Sequence, residues 1–147
     1  MSPFERQREL YAVNRQYLAG LCRPDDPLVG AFVGAHAKTF SSTIYAVGVT
    51  RTALVLQPLD KKQQPVGAPA WYRPGDITNA ALWGHGGGWK EFLARNSEFE
   101  LRFQTTSGDH FKIMAVGGWV MAKAMGDGYE QGMMAVAEWL AAARPAG

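Results

Sequence analysis

The sequence has few of the residues that build disulfide frameworks and metal centres. Cys22 is its single cysteine, so an internal disulfide cannot form and a secreted disulfide scaffold is excluded. The three histidines, His36, His85 and His110, are far apart and show no His-x-x-x-His spacing, so they predict no metal centre. We expect a reduced, cytoplasmic protein without a metal cofactor.

The sequence also lacks a strong charge excess and a long apolar run. A formal net charge of +2 over 147 residues is too small to indicate a nucleic-acid partner. The apolar stretches 113–126 and 133–143 are interrupted by glycines and Lys123 and by Glu138 respectively, so no transmembrane segment is predicted. Residues 1–9 contain no apolar core of a signal peptide. With 47% apolar and 19% charged residues, the chain is expected to form one soluble globular unit.

The polar residues form no recognisable catalytic arrangement. No serine lies in a Gly-x-Ser-x-Gly motif. Ser107, Asp109 and His110 share one turn, where neighbouring side chains cannot easily point at one another as a catalytic relay requires. The acidic pair Asp25–Asp26 is typical of a solvated linker, and Asp76 is expected to cap or turn the chain. The sequence therefore predicts no catalytic residue, no cofactor and no enzymatic activity.

Amphipathic patterns near both ends of the chain predict helices. Ser2, Pro3 and Glu5 form a capping box with proline at the first helical position, and a helix is predicted over 3–21. A second helix is predicted over 129–143. The apolar side chains expected to face the core are Leu10, Val13, Tyr17 and Leu21 with Leu18 beside them in the first helix, and Tyr129, Met133, Val136, Ala137 and Leu140 in the second.

Between the helices, short runs rich in β-branched and aromatic residues alternate with turn residues, which predicts antiparallel strands. A polar turn at Thr50, Arg51 and Thr52 divides residues 43–59 into a β-hairpin. The predicted strands are 28–37, 43–49, 53–59, 66–72, 77–82, 98–105 and 110–116. The predicted fold class is α+β and mainly β: a seven-stranded, strongly bent antiparallel barrel or sandwich, closed by a C-terminal helix and carrying an extra N-terminal helix.

Four stretches carry a resemblance to a known family: the strand-turn-strand Tyr45–Asp60, the step Pro74–Ile77, the hairpin Phe99–Met114 and the closing helix. In these the chain resembles the pleckstrin-homology (PH) superfold and, within it, PH-like domains of bacterial proteins. The resemblance implies a PH-like domain over 28–147, preceded by a helix and linker over 1–27. It also implies phosphoinositide binding, peptide binding or oligomerisation, among which the fold does not choose. Lys38 has no second basic residue on the first two strands, which disfavours specific phosphoinositide recognition.

Three groups of residues are candidate binding surfaces. The glycine-rich stretch 84–88 is flanked by aromatic residues, which predicts an aromatic-rimmed binding loop. Four lysines form a basic rim that would attract anionic lipid head groups. The apolar stretch 117–126 has no evident partner strand and is a candidate subunit interface. The loop residues are Trp83, His85 and Trp89; the rim residues are Lys38, Lys61, Lys62 and Lys90; the interface residues are Trp119, Met121 and Met125.

These surfaces support three hypotheses about function. The leading one is a non-catalytic PH-like binding module that acts through protein–protein contacts, self-association included. The first alternative is peripheral binding of anionic phospholipid head groups through the lysine rim. The second alternative is a small-molecule carrier or enzyme that uses the barrel mouth and the loop 84–93. The sequence leaves all three open, because none of them rests on a specific motif.

Overall fold

In the described part of the chain, seven strands follow one another between two helices. The structure, a computed structural model, describes residues 3–37, 41–83, 100–115 and 127–143. Helix α1 spans Pro3–Leu21, α2 spans Asp127–Ala143 and a 3₁₀ turn spans Pro74–Asp76. The strands are β1 (Gly30–Ala37), β2 (Ser42–Val49), β3 (Leu54–Leu59), β4 (Ala70–Tyr72), β5 (Ile77–Trp83), β6 (Glu100–Thr105) and β7 (His110–Ala115). The predicted α+β, mainly β class is confirmed, together with its bent seven-stranded sheet and its two terminal helices.

The seven strands form one sheet in the order β4-β3-β2-β1-β7-β6-β5, and all neighbouring strands are antiparallel. In a flat sheet, β4 and β7 would lie four strand spacings, or about 19 Å, apart. The ring centroids of Tyr72 in β4 and Phe111 in β7 are instead 6.1 Å apart, and those of Tyr72 and Phe103 in β6 are 6.5 Å apart. The sheet is therefore curled so far that β4 packs across its inner face against β6 and β7.

The inner face of the curled sheet holds the core. The predicted alternation of β6 and β7 is confirmed, because Leu101 pairs with Ile113 and Phe103 with Phe111, and opposed residues share a face. The predicted hairpin is also confirmed, with β2 and β3 paired from Ile44 to Leu59. Helix α2 lies in the concavity and packs on β1, β2 and β5. Its buried side chains are Tyr129, Met133, Val136, Ala137 and Leu140, the stripe that the sequence predicts.

The buried face of α1 differs from the predicted one. Its buried residues are Gln7, Tyr11, Asn14 and Leu18. Val13 and Tyr17, which were expected in the core, are 51% and 40% exposed. The two polar residues are buried because Gln63, between β3 and β4, offers them partners. Gln7 and Gln63 exchange side-chain amide hydrogen bonds of 2.8 and 3.0 Å, and Asn14 donates to the Gln63 backbone carbonyl at 3.0 Å. Apolar periodicity could not reveal this polar docking face.

The fourth strand is shorter than the predicted 66–72, because its continuous pairing with β3 covers Ala70–Tyr72 and is separate from a single bridge between Leu59 and Pro65. The buried side-chain amide of Gln57 donates to the backbone carbonyls of Val66 and Gly67 at 3.3 and 3.2 Å. Gly67 also has a positive φ of 74°, a conformation that strands do not contain. The chain therefore makes a turn at Gly67, and β4 begins at Ala70 instead of the predicted residue 66.

Two buried tyrosines connect the helices to β1. Tyr11 of α1 donates to the Ala31 carbonyl at 3.2 Å, and Tyr129 of α2 donates to the Val33 carbonyl at 3.0 Å. Their rings meet edge to face with centroids 4.7 Å apart. Burial raises the pKa of both hydroxyls above the ordinary tyrosine value, so both remain protonated donors at neutral pH.

Helix α2 approaches β1 closely at Gly132, where an added Cβ would overlap the Ala31 carbonyl oxygen. Because that oxygen belongs to the backbone, it cannot move aside as the end of a flexible side chain could. Glycine at this position therefore sets how deeply α2 sits in the curled sheet.

Gly132→Ala should destabilise the protein by about 3 kcal/mol, because a methyl group would be forced against the backbone of β1. The matched control is Gly20→Ala in α1, where an added Cβ meets nothing within 4 Å. Helix propensity should make that control up to about 1 kcal/mol more stable. Urea denaturation measures both variants, and equal effects of the two substitutions would contradict the close packing of α2.

Tyr129→Phe should cost about 1 kcal/mol at pH 7, because the Val33 carbonyl loses its donor. Unfolded tyrosine ionises near pH 10, whereas the raised pKa keeps buried Tyr129 neutral in the folded state. The stability that depends on Tyr129 is therefore fully present below about pH 10 and is lost as the pH rises further. Between about pH 10 and 12, the variant should lose stability less steeply than the wild type. The free energy of unfolding of both proteins is measured by urea denaturation at each pH. An equal decrease for Tyr129→Phe and the wild type between about pH 10 and 12 would refute this account.

Candidate functional site

A cleft of about 590 Å³ brings together charged, polar and aromatic side chains. Three stretches meet there: the end of α1 with its following linker, the turn between β2 and β3, and the segment from β4 to the 3₁₀ turn. We call it the Arg–Trp cleft. Its lining residues are Leu21, Cys22, Arg23, Asp25, Asp26, Thr50, Arg51, Thr52, Ala53, Trp71, Arg73 and Asp76.

Asp26 joins the linker to the hairpin turn. Its Oδ2 atom accepts hydrogen bonds from the hydroxyls of Thr50, at 2.7 Å, and Thr52. The Thr50 hydroxyl oxygen in turn accepts the backbone N–H groups of Thr52 at 3.2 Å and Ala53 at 3.0 Å. The turn that carries Arg51 is therefore held on both sides by directional bonds.

The same contacts keep Asp26 ionised. Hydrogen bonds from Thr50, first, and Thr52 lower the pKa of its carboxyl group, with a smaller contribution from the backbone and charge of Arg51, while desolvation partly opposes them. The carboxylate is therefore charged at neutral pH. The prediction that the Asp25–Asp26 pair is a solvated linker is wrong for Asp26, whose side chain organises the cleft.

The other two carboxylates of the cleft also have partners within it. Asp25 pairs with the Arg23 guanidinium at 3.2 Å. Asp76 accepts the backbone N–H of Arg73 at 2.8 Å, so the expectation that Asp76 caps the turn is confirmed. In contrast, the exposed guanidinium groups of Arg51 and Arg73 form no ion pair with any described residue.

Trp71 supplies the aromatic surface of the cleft. It lies on β4, the edge strand of the sheet, and 42% of its surface is exposed. Tryptophan and arginine are the residue types that most often dominate binding energy at protein interfaces. Trp71 thus gives the cleft an apolar surface near Arg51 and Arg73, the two cations without an ion pair among the described residues.

Cys22 is the potential nucleophile in the cleft, but its thiol is not activated. Its Sγ donates to the Leu18 carbonyl at 3.3 Å. Burial, and secondly the charge of Asp26, raise the pKa of this thiol. A raised pKa keeps the group in its weakly nucleophilic protonated form at neutral pH. The cleft therefore offers hydrogen-bond donors and an aromatic face rather than a reactive centre.

Of the lysine rim, Lys61 and Lys62 lie among the described residues. Both are exposed on the loop after β3, outside the Arg–Trp cleft. Asp60 fixes this loop, because its Oδ1 accepts the backbone N–H groups of Lys62 at 2.8 Å and Gln64 at 3.0 Å. The two lysines thus project from an ordered turn.

For the other predicted site residues, the proposed roles remain predictions. These residues lie outside the described part of the chain or, for Trp83, the side chain is not described. They are the loop residues Trp83, His85 and Trp89, the rim residues Lys38 and Lys90, and the interface residues Trp119, Met121 and Met125. Within 3–37, 41–83, 100–115 and 127–143, no three His, Cys, Asp or Glu side chains gather as a metal ion would require. No described helix is both long and apolar enough to span a bilayer.

Sequence reasoning assigned Arg51, Trp71 and Arg73 to turns and strands and missed their meeting in one cleft. One sequence signal could have indicated the cleft: the two threonines of the turn Thr50–Thr52 and an aspartate earlier in the chain. Threonine hydroxyls and a carboxylate commonly form hydrogen bonds around turns. Nothing in the spacing indicated which of the thirteen acidic residues would be that partner.

Comparison with known proteins places few constraints on this site. No protein-family model matches the chain, and no curated protein matches it. Among solved structures, it is similar to the C-terminal domain of an unknown protein from Leishmania infantum. That similarity has a TM-score of 0.40 and 15% identity, and covers 71% of this chain and 80% of the other. A similarity this low assigns neither a family nor a function.

Asp26→Asn should lower the melting temperature at pH 7, because an amide accepts the two threonine hydrogen bonds more weakly than a carboxylate. Since the folded pKa is lowered, the wild-type advantage is present above about pH 4 and is lost as the pH falls through the folded value. The control is Asp25→Asn, whose exposed ion pair contributes little. Thermal unfolding followed by circular dichroism tests this, and a difference for Asp26→Asn that persists unchanged into strong acid would contradict it.

Proposed function

We propose that this chain is a non-catalytic binding module that contacts a protein partner through the Arg–Trp cleft. The observation that carries the proposal is the exposure of Trp71 beside the guanidinium groups of Arg51 and Arg73, which form no ion pair with a described residue. These residue types form the energetic centres of protein interfaces, where an aromatic ring and bidentate donors meet a complementary surface.

The backbone that presents these side chains is held in place before any partner binds. Asp26 holds the turn of Arg51 through Thr50 and Thr52, and Asp76 holds the backbone at Arg73. Binding therefore requires ordering of side chains but little ordering of the main chain, which lowers the entropic cost of association.

The charge distribution favours an acidic partner segment. Every carboxylate that lines the cleft already accepts a hydrogen bond or an ion pair from a cleft residue. Arg51 and Arg73, which form no ion pair within the described part of the chain, are thus the cationic groups that an incoming Asp, Glu or terminal carboxylate would meet, with an apolar residue against Trp71. The resemblance of the sequence to PH-like domains, which host peptide binding and oligomerisation as well as lipid binding, agrees with a binding role.

The test is an affinity capture from source-cell extract with the intact chain as bait. Trp71→Ala and the double variant Arg51→Ala/Arg73→Ala should each lose a specifically captured protein, by about thirtyfold for a residue at the energetic centre of an interface. Arg51 and Arg73 are exposed, so their double variant should keep the wild-type melting temperature, and thermal unfolding checks that Trp71→Ala, which removes a partly packed ring, remains folded at the temperature of the assay. The matched control, Lys61→Ala/Lys62→Ala, removes the same number of charges outside the cleft.

Two further readouts separate the alternatives. Capture that survives the cleft variants but is lost with the lysine variant, or sedimentation with anionic liposomes that depends on Lys61 and Lys62, would replace this proposal with lipid or loop recognition. Light scattering across a dilution series tests self-association. A dimer that dissociates on Trp71→Ala would identify a second copy of the chain as the protein partner.

A further inference from the structure

Three aromatic side chains meet on the inner face of the curled sheet. Tyr45 lies on β2, Tyr72 on β4 and Phe111 on β7. The strand register places all three on the same face, and the curl brings β4 across to β7. The centroid of the Phe111 ring is 6.2 Å from that of Tyr45 and 6.1 Å from that of Tyr72. All three residues are half-buried, so part of each remains accessible. We call this group the aromatic corner.

The rings of the aromatic corner are nearly perpendicular but do not close on one another. The planes of Tyr45 and Tyr72 are inclined to that of Phe111 by 82° and 67°. The buried pair Tyr11–Tyr129 has a similar angle of 77° with centroids only 4.7 Å apart, which is a closed edge-to-face contact. For two ring faces at right angles, centroids 6.2 Å apart correspond to a point about 4.4 Å from each ring, within the range of a cation–π contact.

The core holds two of these rings in place. Phe111 stacks on Phe103 with centroids 5.0 Å apart and planes inclined by 23°, and Phe103 is only 2% exposed. One face of Phe111 is therefore covered by the core, and the opposite face is left for another contact. The Tyr72 ring also lies against Phe103, with centroids 6.5 Å apart. Because these rings are packed before any ligand arrives, binding would require little further ordering of side chains.

A carboxylate lies close to both tyrosines. Burial, and secondly the charge of Asp109, raise the pKa of the Tyr45 and Tyr72 hydroxyls, so both tyrosines are neutral at pH 7. Asp109 accepts a hydrogen bond from the Ser107 hydroxyl at 3.1 Å. It forms no ion pair with any residue in the described ranges. The aromatic corner thus combines electron-rich ring faces with one nearby negative charge.

We infer that the aromatic corner binds a trimethylammonium group, carried by a small molecule or by a methylated lysine side chain. Ring faces attract a cation, and recognition of quaternary ammonium groups is the best-known use of such aromatic surroundings. An unmethylated ammonium group is more strongly hydrated and therefore less suited to the site. Asp109 favours the cation and disfavours a phosphocholine head group, whose phosphate would meet a like charge.

This site is independent of the proposed function. Tyr72 is on the inner face of β4, whereas its neighbour Trp71, in the Arg–Trp cleft, is on the opposite face. A ligand in the aromatic corner would therefore leave the cleft open to a partner.

The experiment is an NMR titration of the intact chain at constant ionic strength. The probes are choline, the amide of Nα-acetyl-Nε-trimethyllysine, and 3,3-dimethylbutan-1-ol, which has the shape of choline without its charge. At least one of the two cations should cause saturable shifts at Tyr45, Tyr72 and Phe111, and the neutral alcohol should bind about tenfold more weakly. Tighter binding of choline would indicate a small-molecule ligand, and tighter binding of the lysine probe a methylated protein.

Substitutions then test each part of the site. Tyr45→Leu should weaken binding of the preferred cation by about fivefold, because it removes one ring face and keeps apolar bulk. Tyr45→Phe keeps the ring and should bind as the wild type does. Asp109→Asn should weaken binding by about threefold, the effect of one exposed charge. The matched control is Tyr17→Leu, which removes an exposed tyrosine of α1 and should leave the affinity unchanged.

Four outcomes would overturn the inference. One is the absence of saturation by both cations below about 50 mM. Another is equal affinity for choline and the neutral alcohol, because the charge would then contribute nothing. The third is an equal effect of Tyr45→Leu and Tyr17→Leu. The fourth is tighter binding to phosphatidylcholine vesicles than to either free cation, which would assign the site to a lipid head group instead.

Discussion

Both helices depend on the backbone of one strand. The carbonyls of Ala31 and Val33 on β1 accept the hydroxyls of Tyr11 and Tyr129. These side-chain donors satisfy buried carbonyls, and a buried carbonyl without a donor would be costly. Because the two rings also touch, the first and last elements of the chain are placed relative to each other and to the sheet.

The position of α1 has a direct effect on the Arg–Trp cleft. The helix ends at Leu21, and the short linker that follows must bring Asp26 to the hairpin turn between β2 and β3. The cleft is therefore built from segments that are distant in sequence and are brought together by the docking of α1. A cleft of this kind forms only when the tertiary structure is complete, unlike one carried by a single loop.

The sequence predicted the secondary structure well wherever the spacing of apolar residues matches the face of the strand or helix that is buried. Alternation in β6 and β7, the β2–β3 hairpin and the stripe of α2 follow from the period of apolar residues, and the structure has all three. The pattern failed for α1, because Gln7 and Asn14 are buried against one polar partner, Gln63, which is 56 and 49 residues away respectively. It failed for the cleft for the same reason: Asp26 and Thr50 are 24 residues apart, and hydrogen bonds between distant polar residues leave no periodic trace.

The pair of amide hydrogen bonds between Gln7 and Gln63 fixes the position of α1 along and around its own axis relative to the loop between β3 and β4. A helix held only by apolar side chains can slide or rotate slightly with a small change in contact energy, since dispersion has no preferred direction. Two reciprocal hydrogen bonds and the Asn14 contact have a narrow range of acceptable geometry. They fix one alignment of the helix, and, being uncharged, they hold it there at high salt as firmly as at low salt.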